Sequence, residues 1–273
     1  MSDTMLRPLD NVRSLFSAIE ARDLSALGAL VHPDYRPHCA DLNGLVQPAP
    51  GLAALRERLD ARDGLPHRVY RLIADGDLVC AHVLYDGAVP VSACDLFRCD
   101  EAGLIVEHWN SRQPIPHDAA RGGDRFAGGG EPHLPTSPQR RAEMKQVMKD
   151  LLRGVWAEGR PELVPVHYAP HYVQHNPDMP GGADRILEIV KTNIADFRAR
   201  TGGNFPIDIH RIGAAGDLIF VYYSIFMSGI GRMEGVNATN TDIFRIDGDN
   251  RMIEHWDVLE MEGEPLPDDR TIF

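Results

Sequence analysis

His255 and Asp257 stand two residues apart in Glu254-His255-Trp256-Asp257. Alternate side chains of a strand share a face, so this spacing puts imidazole and carboxylate on one side, with Glu254 and Trp256 on the other. A carboxylate beside an imidazole in apolar surroundings is an acid–base pair: the carboxylate orients the ring, and desolvation moves both groups toward neutral titration. Asp242 opens Asp242-Ile243-Phe244-Arg245 and shares a face with Phe244, which makes it a second candidate acid. Of Tyr222 and Tyr223 one must face inward, and an inward Tyr222 would donate a hydrogen bond to a developing enolate oxygen. His175 lies in Gln174-His175-Asn176-Pro177 between helical stretches, where a loop at a pocket mouth would make it another donor, with Tyr172 and Asn176 beside it to touch substrate. Each has a structural alternative: a hydrogen-bonded pair for His255 and Asp257, a buried paired carboxylate for Asp242, and aromatic packing for the tyrosines, Trp109 and Trp256.

The same strings occur earlier in the chain. Asp95-Leu96-Phe97-Arg98 and Ile105-Val106-Glu107-His108-Trp109-Asn110 precede Asp242-Ile243-Phe244-Arg245 and Met252-Ile253-Glu254-His255-Trp256-Asp257 by 147 residues in both cases. Gly76-Asp77-Leu78-Val79 precedes Gly216-Asp217-Leu218-Ile219 by 140, and the segment holding His38 precedes the one holding His175 by 137. An internal repeat with small loop insertions is the simplest account. Its halves are unequal. His38, His82, His108 and Asn110 occupy the places of His175, Tyr222, His255 and Asp257, and Asn cannot act as a base at neutral pH. The second copy is therefore the better catalytic candidate. The first is a structural half, or binds through His38, His82 and His108.

The elements that must position these residues read alike in both halves. Helical stripes come first: Val12, Leu15, Phe16 and Ile19, then Met144, Val147, Met148, Leu151, Leu152 and Val155. Short helices are expected at 24–31 and 161–167, and further helices at 51–61 and 182–200. Strands are expected at 69–73, 78–85, 91–98 and 104–111, and at 208–212, 218–227, 237–245 and 252–260. Helices followed by an antiparallel meander make each half α+β. Domains are expected at 1–116 and 139–273, joined by an exposed Gly- and Pro-rich linker at 117–138 with no core of its own.

The chain has 273 residues and a formal net charge of −12, with pI near 5.4. That balance disfavours nucleic acid and anionic membranes as partners. No apolar run is long enough for a membrane helix and no signal peptide is visible, so the expected compartment is the cytoplasm. Cys39, Cys80, Cys94 and Cys99 form no CxxC and read as buried reduced thiols. With no HExxH, GxSxG, P-loop or GxGxxG, neither metal nor cofactor is expected.

Tyr172-Val173-Gln174-His175-Asn176-Pro177, Gly216-Asp217-Leu218, Asp242-Ile243-Phe244-Arg245 and Ile253-Glu254-His255-Trp256-Asp257, in that order, resemble the SnoaL-like polyketide cyclases of the nuclear-transport-factor-2-like superfamily. The resemblance extends to both copies. It implies two tandem cone-shaped α+β barrels, each a curved antiparallel sheet wrapped around helices with a deep apolar pocket. It also implies pairing through sheets, as an internal pseudo-dimer with room for further homo-oligomers. In such cyclases a late Asp serves acid–base chemistry, which points to Asp257. The expected function is a cofactor-independent enzyme on a hydrophobic, aromatic or polyketide-like small molecule. It would abstract a proton to make or break a carbon–carbon bond, as an aldol-type cyclase or a lyase. The alternatives are a dehydratase, isomerase or epoxide hydrolase of the same fold, and a non-catalytic ligand-binding or association module.

Overall fold

The structure is a computed structural model, and it describes residues 3–38, 50–60, 66–87, 89–115, 125–130, 136–177, 179, 181–227 and 236–261. The chain divides into two compact units between His117 and Asp118.

In the first unit, α1 (Asp3–Glu20) turns Val12, Leu15, Phe16 and Ile19 inward, each at most 7% exposed. Truncating a side chain as buried as Leu15 to Ala costs about 2–5 kcal/mol. α2 (Leu27–Leu30), β1 (Val31–Pro37) and α3 (Leu52–Asp60) follow. Then come β2 (His67–Asp75), β3 (Leu78–Tyr85), β4 (Val91–Cys99) and β5 (Ile105–Pro114). They form one sheet in the order β1-β5-β4-β3-β2, and the helices cover one face of it to make the core.

The second unit repeats this plan. Its first helix, Pro138–Leu151, is capped by the Ser137 side chain and continues as a π-helical turn, Leu152–Ala157. Short turns at Pro161–Leu163 and Val164–His167 lead into β6 (Tyr168–Gln174). Helix Ala183–Ile189 runs through a π turn, Val190–Ile194, into Ala195–Thr201. β7 (Ile207–Ala215), β8 (Leu218–Met227), β9 (Val236–Ile246) and β10 (Met252–Met261) complete a sheet ordered β6-β10-β9-β8-β7. Each unit is thus the α+β cone type, with a mixed five-stranded sheet. The matched Gly-Asp pieces make the β2–β3 and β7–β8 turns, where Gly76 and Gly216 take φ of 65° and 61°.

Two details differ from the sequence-based expectation. The stretches that lead to His38 and His175, read as lying between helices, are strands that end at Pro37 and Gln174, and His175 to Pro177 follow outside strand and helix, as expected. β1 and β6 run parallel to β5 and β10 at the sheet edge, where their prolines are tolerated, and His175 N donates to His255 O at 3.0 Å. The Gly-rich segment also differs from an exposed linker at residues 125–130, which dock on the second unit. Arg125 and Phe126 are buried, and Trp256 Nε1 donates to Ala127 O at 2.8 Å. Gly128 lies so close to Glu254 and Trp256 that a Cβ would collide with both.

Candidate functional site

A β-bulge aims the site. Arg245 stands opposite Glu254 while Ile246 stands opposite Met252, so Ile253 is the extra residue. The bulge breaks the two-residue alternation, so that Met252, in the core, and His255, three positions on, face the same side. From there alternation resumes and Asp257 faces inward, directly opposite Asp242 on β9. The first unit carries the same bulge at Val106, and Asn110 stands opposite Asp95.

On this inner face Asp242, His255 and Asp257 each bring one polar atom within 4.8 Å of the others. Tyr223 Oη donates to Asp242 Oδ2 at 2.9 Å, and Asn240 Nδ2 donates to Asp242 Oδ1 at 2.8 Å and to Tyr223 Oη at 2.7 Å. His255 Nε2 lies 3.3 Å from Asp242 Oδ1, off the line of a hydrogen bond. The ring stacks on Phe244 with centroids 4.0 Å apart. Gln174 Nε2 meets His255 Nδ1 at 2.8 Å, and Asn176 Nδ2 donates to Asp257 Oδ2 at 2.9 Å. Tyr172 is buried, edge-on to Tyr168, whose hydroxyl receives the Trp156 indole N–H at 3.1 Å. Trp156 belongs to the π-helical turn.

Burial raises the Asp257 carboxyl above the ordinary carboxylate range; His255 and Asn176 pull it down, and Asp242 pushes it up again. Burial works against an imidazolium at His255, but Asp242 and Asp257 outweigh it and raise its pKa. Burial, with neighbouring groups that include the two carboxylates, pushes the Tyr172 and Tyr223 hydroxyls well up. Four buried inner-face atoms have no hydrogen-bond partner among the described residues: His255 Nε2, Asp257 Oδ1, Asn240 Oδ1 and Tyr172 Oη. Buried polar atoms cost free energy when unpaired, so these are the atoms that a polar group of a ligand would satisfy. Among the described residues, Asp242, His255 and Asp257 are also the groups that could chelate a cation. Both Asp242 oxygens already accept hydrogen bonds.

The structure therefore brings together His255, Asp257, Asp242, Asn176 and Tyr172 of the expected residues. It does not bring Tyr222 to them. Tyr222 points to the opposite face, its ring 5.6 Å from His210, and the inward tyrosine is Tyr223. His175 is likewise on the outer side. It stacks on Trp256 at 5.1 Å and bonds Glu254 Oε1 at 2.9 Å, and Arg245 holds the same glutamate. His38 repeats that arrangement on Trp109 and Glu107, which Arg98 holds. His82 is buried on the outer face between Arg71, 3.0 Å away, and Ser92. His108 does face inward, bonded to Asp95 at 3.0 Å, and Asn110 beside it is buried with both amide atoms unpartnered among the described residues. Sequence reading missed Gln174, Asn240 and Tyr223 as site residues. Asn240 and Tyr223 follow from alternation once Asp242 is placed inward; Gln174 needs the parallel pairing of β6 with β10.

Cys80, Cys94 and Cys99 are free and buried, and burial pushes the Cys99 thiol up to about 12; Cys39 lies outside the described residues. Among the described residues no helix is long and apolar enough to cross a membrane.

The chain is similar to several solved structures. One, from Acidithiobacillus ferrooxidans, carries the name polyketide cyclase: 24% identity over 43% of this chain and 87% of that one, TM-score 0.34. An epoxide hydrolase of the LEH-like type from M. tuberculosis matches at 17% over 40% and 84%, TM-score 0.35. A steroid delta-isomerase from Pseudomonas aeruginosa matches at 23% over 40% and 81%, TM-score 0.33. No curated protein matches the chain. The family model of the SnoaL-like domain matches residues 12–108, which are thus a SnoaL-like domain.

Proposed function

We propose that the second unit is a SnoaL-like domain as well and the catalytic half of a cofactor-independent enzyme. It abstracts a proton beside a carbonyl of a hydrophobic small molecule, and a carbon–carbon bond is then made or broken. One observation carries this reading: two carboxylates and an imidazole converge on the inner face, with Asp257 Oδ1 and His255 Nε2 lacking a hydrogen-bond partner among the described residues and the Asp257 carboxyl raised by burial. A carboxylate raised toward neutrality is a better proton acceptor at physiological pH, and buried donors stabilise the enolate oxygen that forms. Asp257 and His255 share that work, and the Tyr172 hydroxyl is a further donor. The inner face is packed among apolar side chains, Phe244, Ile219, Val221 and Tyr168 among them, surroundings that suit an aromatic or polyketide-like skeleton. The same groups would serve dehydration, isomerisation or epoxide opening, and the product distinguishes these.

The test is to identify by mass spectrometry the small molecule that co-purifies with the protein, then incubate it with wild type and Asp257→Asn. A ligand held by both proteins and transformed only by wild type is the expected result. A ligand left unchanged by wild type makes the protein a binding module.

A further inference from the structure

Gln174 settles which nitrogen of His255 carries the proton. Its Oε1 faces the backbone N–H of Asn176 at 3.0 Å. A backbone N–H can only donate, so the amide oxygen must be the atom that meets it. The other end of the amide, the NH2, then faces His255 Nδ1 at 2.8 Å. An NH2 also can only donate, so Nδ1 must present its lone pair. The proton of the neutral ring therefore sits on Nε2, which faces Asp242 and Asp257.

We propose that Gln174 is a positioning residue that locks neutral His255 in the Nε2–H tautomer, so that His255 is the hydrogen-bond donor of the site and Asp257 its base. The division of roles rests on the catalytic reading above; the tautomer does not. An Nε2 that already holds a proton cannot accept one from a carbon acid. It can donate a hydrogen bond to the developing oxygen while keeping its proton, and Asp257 Oδ1, inward and without a hydrogen-bond partner among the described residues, takes the proton from carbon. Asn176 serves both parts, since its backbone orients Gln174 and its side chain holds Asp257 Oδ2. The first unit lacks the device. Pro37 stands opposite His108 where Gln174 stands opposite His255, and it has no side-chain donor.

The experiment is long-range 1H–15N correlation on protein with 15N-labelled histidine, recorded at a pH where the ring is neutral. His255 is assigned among the 12 histidines by the loss of its signals in His255→Asn. Wild type should show a bare Nδ1 and a protonated Nε2. In Gln174→Glu a carboxylate faces Nδ1 and accepts from it, so the tautomer should reverse, while Asn176 N–H keeps an acceptor and the backbone amide spectrum stays native. Turnover in that variant should fall through kcat, with KM little changed. A protonated Nδ1 in wild type, or no reversal in Gln174→Glu, overturns the lock. The expected tautomer in a protein without turnover leaves the lock standing and removes the catalytic reading.

Discussion

The two units share one buried motif and differ in what surrounds it. Tyr85 Oη donates to Asp95 Oδ2 at 2.6 Å and His108 Nε2 meets Asp95 Oδ1 at 3.0 Å; Tyr223, Asp242 and His255 repeat this at 2.9 and 3.3 Å. The tyrosines are not equivalent positions. Tyr85 stands opposite Val91, four residues from Asp95 in register, whereas Tyr223 stands opposite Asn240, two residues from Asp242. The same contact reached from two places marks it as something the fold needs: a buried carboxylate must be paired. What, among the described residues, exists in the second unit alone is then where chemistry should be sought. That is Asp257 in place of Asn110, Gln174 in place of Pro37, and Trp156 on its π-helical turn behind Tyr168.

The largest expected effect tests that asymmetry. Asp257→Asn should lower turnover by about 100-fold or more, the usual worth of an acid–base group. An equal loss from Asn110→Leu, measured on the same molecule, would erase the distinction between the halves. The shared motif should show the opposite ranking in stability. The Asp95–His108 pair is fully buried and hydrogen-bonded, so Asp95→Asn should cost the first unit about 3–5 kcal/mol in denaturant unfolding. Asp242→Asn should cost the second unit less, because it also removes the repulsion between Asp242 and Asp257. A larger cost for Asp242→Asn would mean the carboxylates repel little.

Much of this contrast was legible in the strings themselves. The constant spacing between the Asp-x-Phe-Arg and Glu-His-Trp pieces gave the repeat, and alternation put Asp257 beside His255 and Asp242 beside Phe244. The faces of β8 were not legible: Leu218-Ile219-Phe220-Val221-Tyr222-Tyr223 is apolar throughout and buried on both sides, so no polar position marks the inward set. Without that mark nothing in the string separates Tyr222 from the inward Tyr223, or shows that His82 faces outward. His175 failed for another reason. Its face is set by parallel pairing with a strand some 80 residues away, and two prolines interrupt the segment's period. The bulge at Ile253 was invisible as well, because one extra residue in a strand leaves no compositional trace.

A smaller effect follows from the raised pKa values. Asp257 titrates higher in the folded state than the unfolded value of about 3.9, so the folded state binds the extra proton. Stability of the second unit should therefore fall as pH rises from about 4 through the folded pKa, by at most about 1.4 kcal/mol per pH unit for one proton. His255, also raised, contributes stability below about 6.5 that is lost as pH rises through its folded pKa. Asp257→Asn should flatten the lower branch in thermal unfolding across pH and shrink the upper one, which Asp242 then sustains without Asp257. An unchanged lower branch would assign that titration to another group.

The outer faces give the last comparison. His38 and His175 make the same stack on tryptophan and the same bond to glutamate, but the His38 side chain is 41% exposed and that of His175 is 9% exposed. An exposed pair is worth about 0.2–1 kcal/mol and an aromatic stack up to about 1.5 kcal/mol when desolvated. His175→Ala should then cost about 1 kcal/mol, and His38→Ala a few tenths on the same scale. The extra burial traces to residues 125–130, which close over Trp256 through the bond to Ala127 O and the close approach of Gly128. Gly128→Ala lifts that cover and also displaces Glu254 Oε1, the atom that His175 bonds, so it should lower the cost of His175→Ala toward that of His38→Ala. If the two histidines still differ in the Gly128→Ala background, the difference comes from the neighbours of His175 on β6, Gln174 and Asn176, which tie the outer latch to the inner site.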